Sequence, residues 1–100
     1  MNSKLDSLLS LASRARKIIS GSDMVITDMK SFKSKTKIVI LATDAKEHVK
    51  EEVYMVAKRF GIEVIEYGTK DELGHFIGKA ERSVIGIIDE NFAEGIRKSI

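Results

Sequence analysis

The chain has 100 residues, 43% of them hydrophobic, with no Cys, no Pro, no Trp and a formal net charge of +2. This length suits one domain, residues 1–100, built around one core, and the missing Cys excludes disulfides, thiolate metal sites and thiol nucleophiles. No run approaches the roughly 18 apolar residues that cross a bilayer, and the N-terminus lacks the continuous apolar stretch of a signal peptide, so a cytoplasmic protein without membrane contact is expected.

Leu5, Leu8, Leu9 and Ala12 recur at the spacing of one apolar helical stripe, which predicts a helix over residues 2–15. Arg16 would rejoin the leucines if that helix continued, so it should stop near Ala15. Residues 16–20 then read as a brief extended stretch, and Gly21 can supply a turn. Gly21 or Ser22 can cap a second helix with Asp23 in its first turn and Val25, Met29 and Phe32 on its apolar side. A basic loop, residues 33–35, leads to a β-branched run over residues 37–42, typical of a strand covered on both faces and ended by Thr43 and Asp44.

Over residues 46–60, Val49, Val53, Val56, Ala57 and Phe60 keep a helical period that Gly61 closes. Residues 62–67 form another strand. Thr69 and Glu72 make a capping pattern ahead of Leu73, Phe76 and Ile77 on a short helix. A strand at residues 83–88 follows, and Asp89 or Asn91 can cap a final helix containing Phe92, Ile96 and Ile100. Alternating helices and strands predict an α/β fold, a three-layer α/β/α sandwich with a mixed, mostly parallel central sheet of about four strands.

Candidate chemistry is sparse. Asp44 follows a strand, as a phosphoacceptor would, but no acidic metal cluster accompanies the first strand, and a helix N-cap explains it more simply. His48 and His75 have no partner at metal-ligand or nucleophile spacing, and the carboxylates fall on solvent faces. There is neither a Gly-Lys-Ser/Thr phosphate loop nor a Gly-x-Gly-x-x-Gly turn. No catalytic residue, metal or cofactor is expected, and the chain reads as a non-enzyme.

Charge is more informative by position than in total. Residues 1–37 hold eight Lys or Arg against three acids, and the remainder carries nine basic and twelve acidic side chains. A basic first third suits a polyanion. Two features could serve one: Gly21, Ser22 and Asp23, which open a helix with free amides, and residues 73–82, where Gly74 and Gly78 permit close packing ahead of Lys79 and Arg82.

Four segments carry a family resemblance: LLSLASRARKIISG at residues 8–21, KIVILATD at 37–44, the Glu-Leu-Gly-x-x-x-Gly-Lys element at 72–79, and the closing strand at 84–88. Together they resemble the kink-turn RNA-binding superfamily of ribosomal large-subunit proteins, in particular its small bacterial YlxQ-like branch. The resemblance implies an α/β/α sandwich that recognises a sharply bent RNA duplex through the start of the second helix, here residues 21–27, and the loop after the Leu-Gly helix, here residues 79–82. Where the family carries Gly-Thr-Asn-Glu-x-x-Lys, this chain keeps Gly21 and a hydroxyl at Ser22 but has Asp23, Met24 and Thr27 at the other three positions.

Lys17, Gly21, Ser22, Asp23, Thr27, Lys33, Lys35, Lys79, Ala80 and Arg82 are therefore the expected RNA contacts. The implied partner is structured RNA, with ribosomal RNA and ribosomal or translation-related proteins as candidate associates and a monomer as the default state. The competing expectation is a protein-interaction module on the same fold, with Met24 offering an apolar contact where the family has Glu.

Overall fold

The computed structural model describes residues 3–100, so residue 2 of the first expected helix lies outside the described residues. The elements run α1 (Ser3–Arg14), β1 (Ile18–Ser20), α2 (Ser22–Lys30), β2 (Ile38–Leu41), α3 (Glu47–Phe60), β3 (Glu63–Glu66), α4 (Lys70–Phe76), β4 (Val84–Ile87) and α5 (Glu90–Arg97). Leu5, Leu9 and Ala12 of the α1 stripe are fully buried. The helix ends as the stripe requires: Arg16 takes a left-handed φ of 59°. The Lys17 amide then donates to the Ala12 carbonyl at 2.8 Å and the Arg16 amide to that of Ser13 at 3.0 Å, a helix-terminating pair of bonds that turns the chain toward β1.

The sheet order is β1-β4-β2-β3. It is mixed and four-stranded, as expected, but only β2–β3 is a parallel ladder, whereas β4 pairs antiparallel with both β1 and β2. The expectation of mostly parallel pairing is thus corrected. Strands β1, β2 and β3 do run in one direction; β4 is reversed and sits between two of them. The cause is local. Helix α4 has seven residues, about 10 Å of rise, and the chain returns beside its start, where the Arg82 amide donates to the Lys70 carbonyl at 3.0 Å. The chain therefore re-enters the sheet at the end it left.

Helices α2 and α3 pack together on one side of the sheet, and α1 packs with α4 and α5 on the other. Between these layers every residue of β2 and β4 is buried. Ile38, Ile40, Leu41, Ile85 and Ile87 meet Leu5, Leu9, Met29 and Ile96 in one continuous core. Each such side chain contributes about 1.5–3 kcal/mol on burial.

Two apolar expectations fail at helix ends. Phe32 is fully exposed (101%) because α2 stops at Lys30 and Ser31 is already extended, which takes Phe32 off the helical period. Ile26 is buried in its place beside Val25 and Met29. Ile100 is also exposed, since α5 ends at Arg97. The capping expectations fare better: Thr69 and Glu72 make both bonds of a capping box, and the Asp89 carboxylate accepts from the Phe92 amide at 3.0 Å.

Candidate functional site

The antiparallel pairing of β1 with β4 places residues far apart in sequence at one end of the sheet. Ser20 lies opposite Ile85, and the Gly21 amide extends the ladder by donating to the Val84 carbonyl at 2.9 Å. Gly21 then caps α2 with φ 97° and ψ 140°, a conformation that favours glycine. Its carbonyl accepts the first helical bond, from the Val25 amide at 3.0 Å. The amides at the start of α2 have no intrahelical acceptor and carry the positive end of the helix dipole.

The loop between α4 and β4 meets this helix start. Arg82 Nε donates to Ser20 Oγ at 3.3 Å, and its Nη1 donates to the carbonyls of Ala80 and Glu81 at 3.3 and 3.0 Å. The guanidinium thus holds its own loop in shape while bridging to the residue before Gly21. At the other end of the loop, Gly78 ends the α4 turn at φ 69°, and the Lys79 amide donates to the Gly74 carbonyl at 2.9 Å. Gly74 itself packs against the backbone of Ala80 and Glu81. The close-packing reading of the two glycines therefore holds at Gly74, whereas Gly78 serves through its backbone angle.

Ser22 is half-buried, and Asp23, Thr27, Lys79 and Ala80 are exposed. Asp23, Met24 and Thr27 line an open groove of about 420 Å³ between α2 and β1, floored by Ile19 and continued by Asp28 and Ser31. Met24 is 60% exposed there. On its far side the 79–82 loop borders a hollow lined by Asp71, Glu72 and Glu81. Carboxylates thus line both the groove, through Asp23 and Asp28, and the hollow, and the groups at this junction that attract a polyanion are the Gly21-side amides with Lys79 and Arg82.

Gly21, Ser22, Asp23, Thr27, Lys79, Ala80 and Arg82 are accordingly brought together. Lys17, Lys33 and Lys35 are not. The Lys17 carbonyl accepts from the Ile88 amide at 2.9 Å, three residues or about 10 Å along the sheet from Ser20, and Lys33 and Lys35 follow the C-terminal end of α2. Ser20 and Ile19 belong to the site and were not singled out from sequence. Their signal is their position in the strand immediately before the turn glycine.

Other candidate residues have structural roles or none. Asp44 does not cap the helix that follows it, whose N-cap is Lys46 without a side-chain bond. Its Oδ1 instead accepts from the Lys70 amide at 2.7 Å and tethers the start of α4. His48 and His75 are exposed. Among the described residues no group of three or more His, Cys, Asp or Glu is placed to hold a metal ion, and no helix is long and apolar enough to cross a membrane.

A three-layer α/β/α protein whose second-helix start is joined to the loop before its central antiparallel strand defines the class. The model of the Ribosomal protein L7Ae/L30e/S12e/Gadd45 family matches residues 3–96, and the chain belongs to that family. A relative from Enterococcus faecium, named RNA-binding protein YlxQ, is 35% identical over 97 residues, covering 97% of this chain and 91% of that protein. The Bacillus subtilis protein of the same name is 34% identical over 86 residues, covering 86% and 84%. A solved structure of a Bacillus halodurans protein of unknown function superposes with a TM-score of 0.90 at 34% identity, covering 96% of this chain and 95% of that one.

Proposed function

We propose that this chain is a non-catalytic, single-domain RNA-binding protein of the cytoplasm that recognises structured, kink-turn-like RNA, acting as a monomer in association with ribosomal RNA. The observation that carries this reading is the bridge from Arg82 to Ser20, 62 residues away in sequence, which holds a basic loop beside the helix start that follows Ser20. Phosphates fit that junction: the amides and the helix dipole attract them from one side, and Lys79 and Arg82 from the other. The two relatives named as RNA-binding proteins support the same reading.

Asp23, Met24 and Thr27 alter the part of the site that would meet base edges, so this chain's RNA differs in detail from a standard kink-turn. Titration of a labelled kink-turn duplex and of ribosomal RNA fragments tests the proposal. Lys79→Ala with Arg82→Ala should weaken binding and lower its salt slope by about 1 for each phosphate deprived of its cation. Unchanged affinity would remove the loop from the site. The exposed Met24 beside Ile19 favours one second reading, a protein-interaction surface in the same groove; partner binding that persists at high salt would select it.

A further inference from the structure

The most basic segment of the chain lies at the other end of α2 and displays an aromatic ring that the fold does not use. Phe32 is fully exposed, and Lys30, Lys33, Lys35 and Lys37 all fall within five residues of it. Between Asp23 and Asp44 the sequence has one carboxylate, Asp28, and its oxygens are already engaged. Asp28 Oδ2 accepts from Thr36 Oγ1 at 2.6 Å, the Thr36 amide at 2.9 Å, and Ser34 Oγ and the Lys35 amide at 3.1 Å.

These bonds make the loop a built feature. Thr36 is buried, the Lys33 amide donates to Ser31 Oγ at 3.1 Å, and the Ser34 amide donates to the Ser31 carbonyl at 3.1 Å. Phe32 therefore stands on a tight turn tied on both sides. Lys17 and Lys37 add charge at the same end of the sheet: the Ile88 amide donates to the Lys17 carbonyl and the Lys37 amide to the Ile87 carbonyl. The two lysines thus flank the end of β4, about 10 Å apart across two strand spacings.

A lone exposed apolar residue is ordinary, and a run of lysines is ordinary solvated surface. An unburied ring on a stapled turn, with four lysines within five residues of it in sequence and the one carboxylate of that segment engaged, is a combination suited to unpaired nucleotides: the π-face takes a base and the ammonium groups take the phosphates on either side. One ring in so basic a segment is too small and too charged to act as the apolar centre of a protein interface.

We propose that residues 30–37 form a second RNA-contact surface, in which an unpaired base stacks on Phe32 and its flanking phosphates lie on Lys30, Lys33, Lys35 and Lys37. It rests on the RNA-binding reading only in sharing the polymer, since it uses the opposite end of α2 and needs no bent duplex. An RNA occupying both surfaces would present its folded part at Gly21 and Arg82 and a single-stranded extension along α2.

The test uses the full chain and a fluorescein-labelled single-stranded oligoadenylate of ~12 nucleotides, within the usual range of single-strand sites. The intact protein should bind it with a marked salt dependence. Phe32→Ala should weaken binding about 5- to 100-fold, Phe32→Tyr should restore it and Phe32→Leu should not. Lys79→Ala with Arg82→Ala should weaken oligoadenylate binding less than Phe32→Ala does. Absence of binding by the intact protein, equal binding by Phe32→Ala, or full rescue by Phe32→Leu would overturn the proposal. Failure of the kink-turn reading shows separately, as a kink-turn duplex whose affinity does not respond to Lys79 and Arg82. Because Phe32 contributes nothing to the core, its variants keep the thermal midpoint of the parent.

Discussion

The carbonyl oxygen of Ala80 lies where a Cβ on Gly74 would stand, closer than any real Cβ tolerates. The same carbonyl accepts from Arg82 Nη1, and Arg82 in turn reaches Ser20. A missing methyl group on α4 therefore sets the position of the basic loop and, through it, the join to the start of α2. Gly74→Ala gains up to about 1 kcal/mol of helix propensity, but it must push the loop backbone away at a cost of about 1–3 kcal/mol or more. Urea denaturation should show a net loss of stability, and kink-turn RNA titration should show a loss of affinity larger than stability alone explains. A variant as stable and as tight as the parent would dissociate the loop position from Gly74.

Arg82 is expected to act as a bridge as well as a charge. Arg82→Lys keeps the cation but loses the planar fork that serves Ser20, Ala80 and Glu81 together. Its RNA affinity should fall close to that of Arg82→Ala, and Ser20→Ala should show a smaller loss in the same direction. If Arg82→Lys binds RNA as the parent does, charge alone is at work. The measurement is RNA titration at two salt concentrations, where the fork contributes to affinity and the charge to the slope.

Asp28 links stability to pH. Burial pushes its carboxyl up, but the bonds from the Thr36 hydroxyl and amide, the Lys35 amide and the Ser34 hydroxyl outweigh this and hold it below the ordinary carboxylate range. A depressed folded value means that the ionised form stabilises the fold. Its contribution is complete above the ordinary value near 3.8 and is lost as pH falls through the lower folded value. Asp28→Ala should destabilise the chain by about 1–3 kcal/mol at neutral pH, loosen the turn bearing Phe32 and flatten the acid limb of a stability-pH curve. An acid limb identical to the parent's would show that the carboxylate contributes no net stability.

The sequence made the elements legible where one local signal dominated: the α1 stripe, the β-branched run of β2, and the capping box at Thr69. It was silent where a distant contact decided. The reversal of β4 depends on α4 folding back on itself, and hydrophobic period carries no information on strand direction. The ends of α2 and α5 misled because the period was extended past the last hydrogen-bonded turn, to Phe32 and Ile100. The family motif points to Gly21 and the 79–82 loop, which the fold joins, whereas charge run alone groups Lys17, Lys33 and Lys35 with them; β1 separates Lys17 from that end, and the length of α2 separates Lys33 and Lys35. Asp44 shows the same limit: a residue suited to capping serves a helix 26 positions away.

The edge strand β3 is fastened to α3 by a polar contact with its own pH signature. Tyr54 Oη donates to Glu66 Oε2 at 2.6 Å, and Lys50 Nζ donates to Glu66 Oε1 at 3.2 Å and to the Thr43 carbonyl at 2.7 Å. The hydrogen bond to Glu66, with burial and the Glu66 charge behind it, pushes the Tyr54 phenol up to about 12; the same bond, with that of Lys50, lowers the Glu66 carboxyl. For the phenol the raised folded value means that the neutral form is favoured by folding. Its contribution is complete below the ordinary value of 10 and disappears as pH rises through about 12. Tyr54→Phe should cost no more than about 1 kcal/mol at neutral pH, because the contact is solvent-screened, and should remove the part of alkaline destabilisation that belongs to this bond. Phenolate absorbance followed through alkaline pH checks it directly: the difference between parent and Tyr54→Phe should titrate near 12. Titration near 10 would mean that Glu66 does not hold the phenol in solution, and that β3 is retained by its ladder with β2 and its packing on α3 alone.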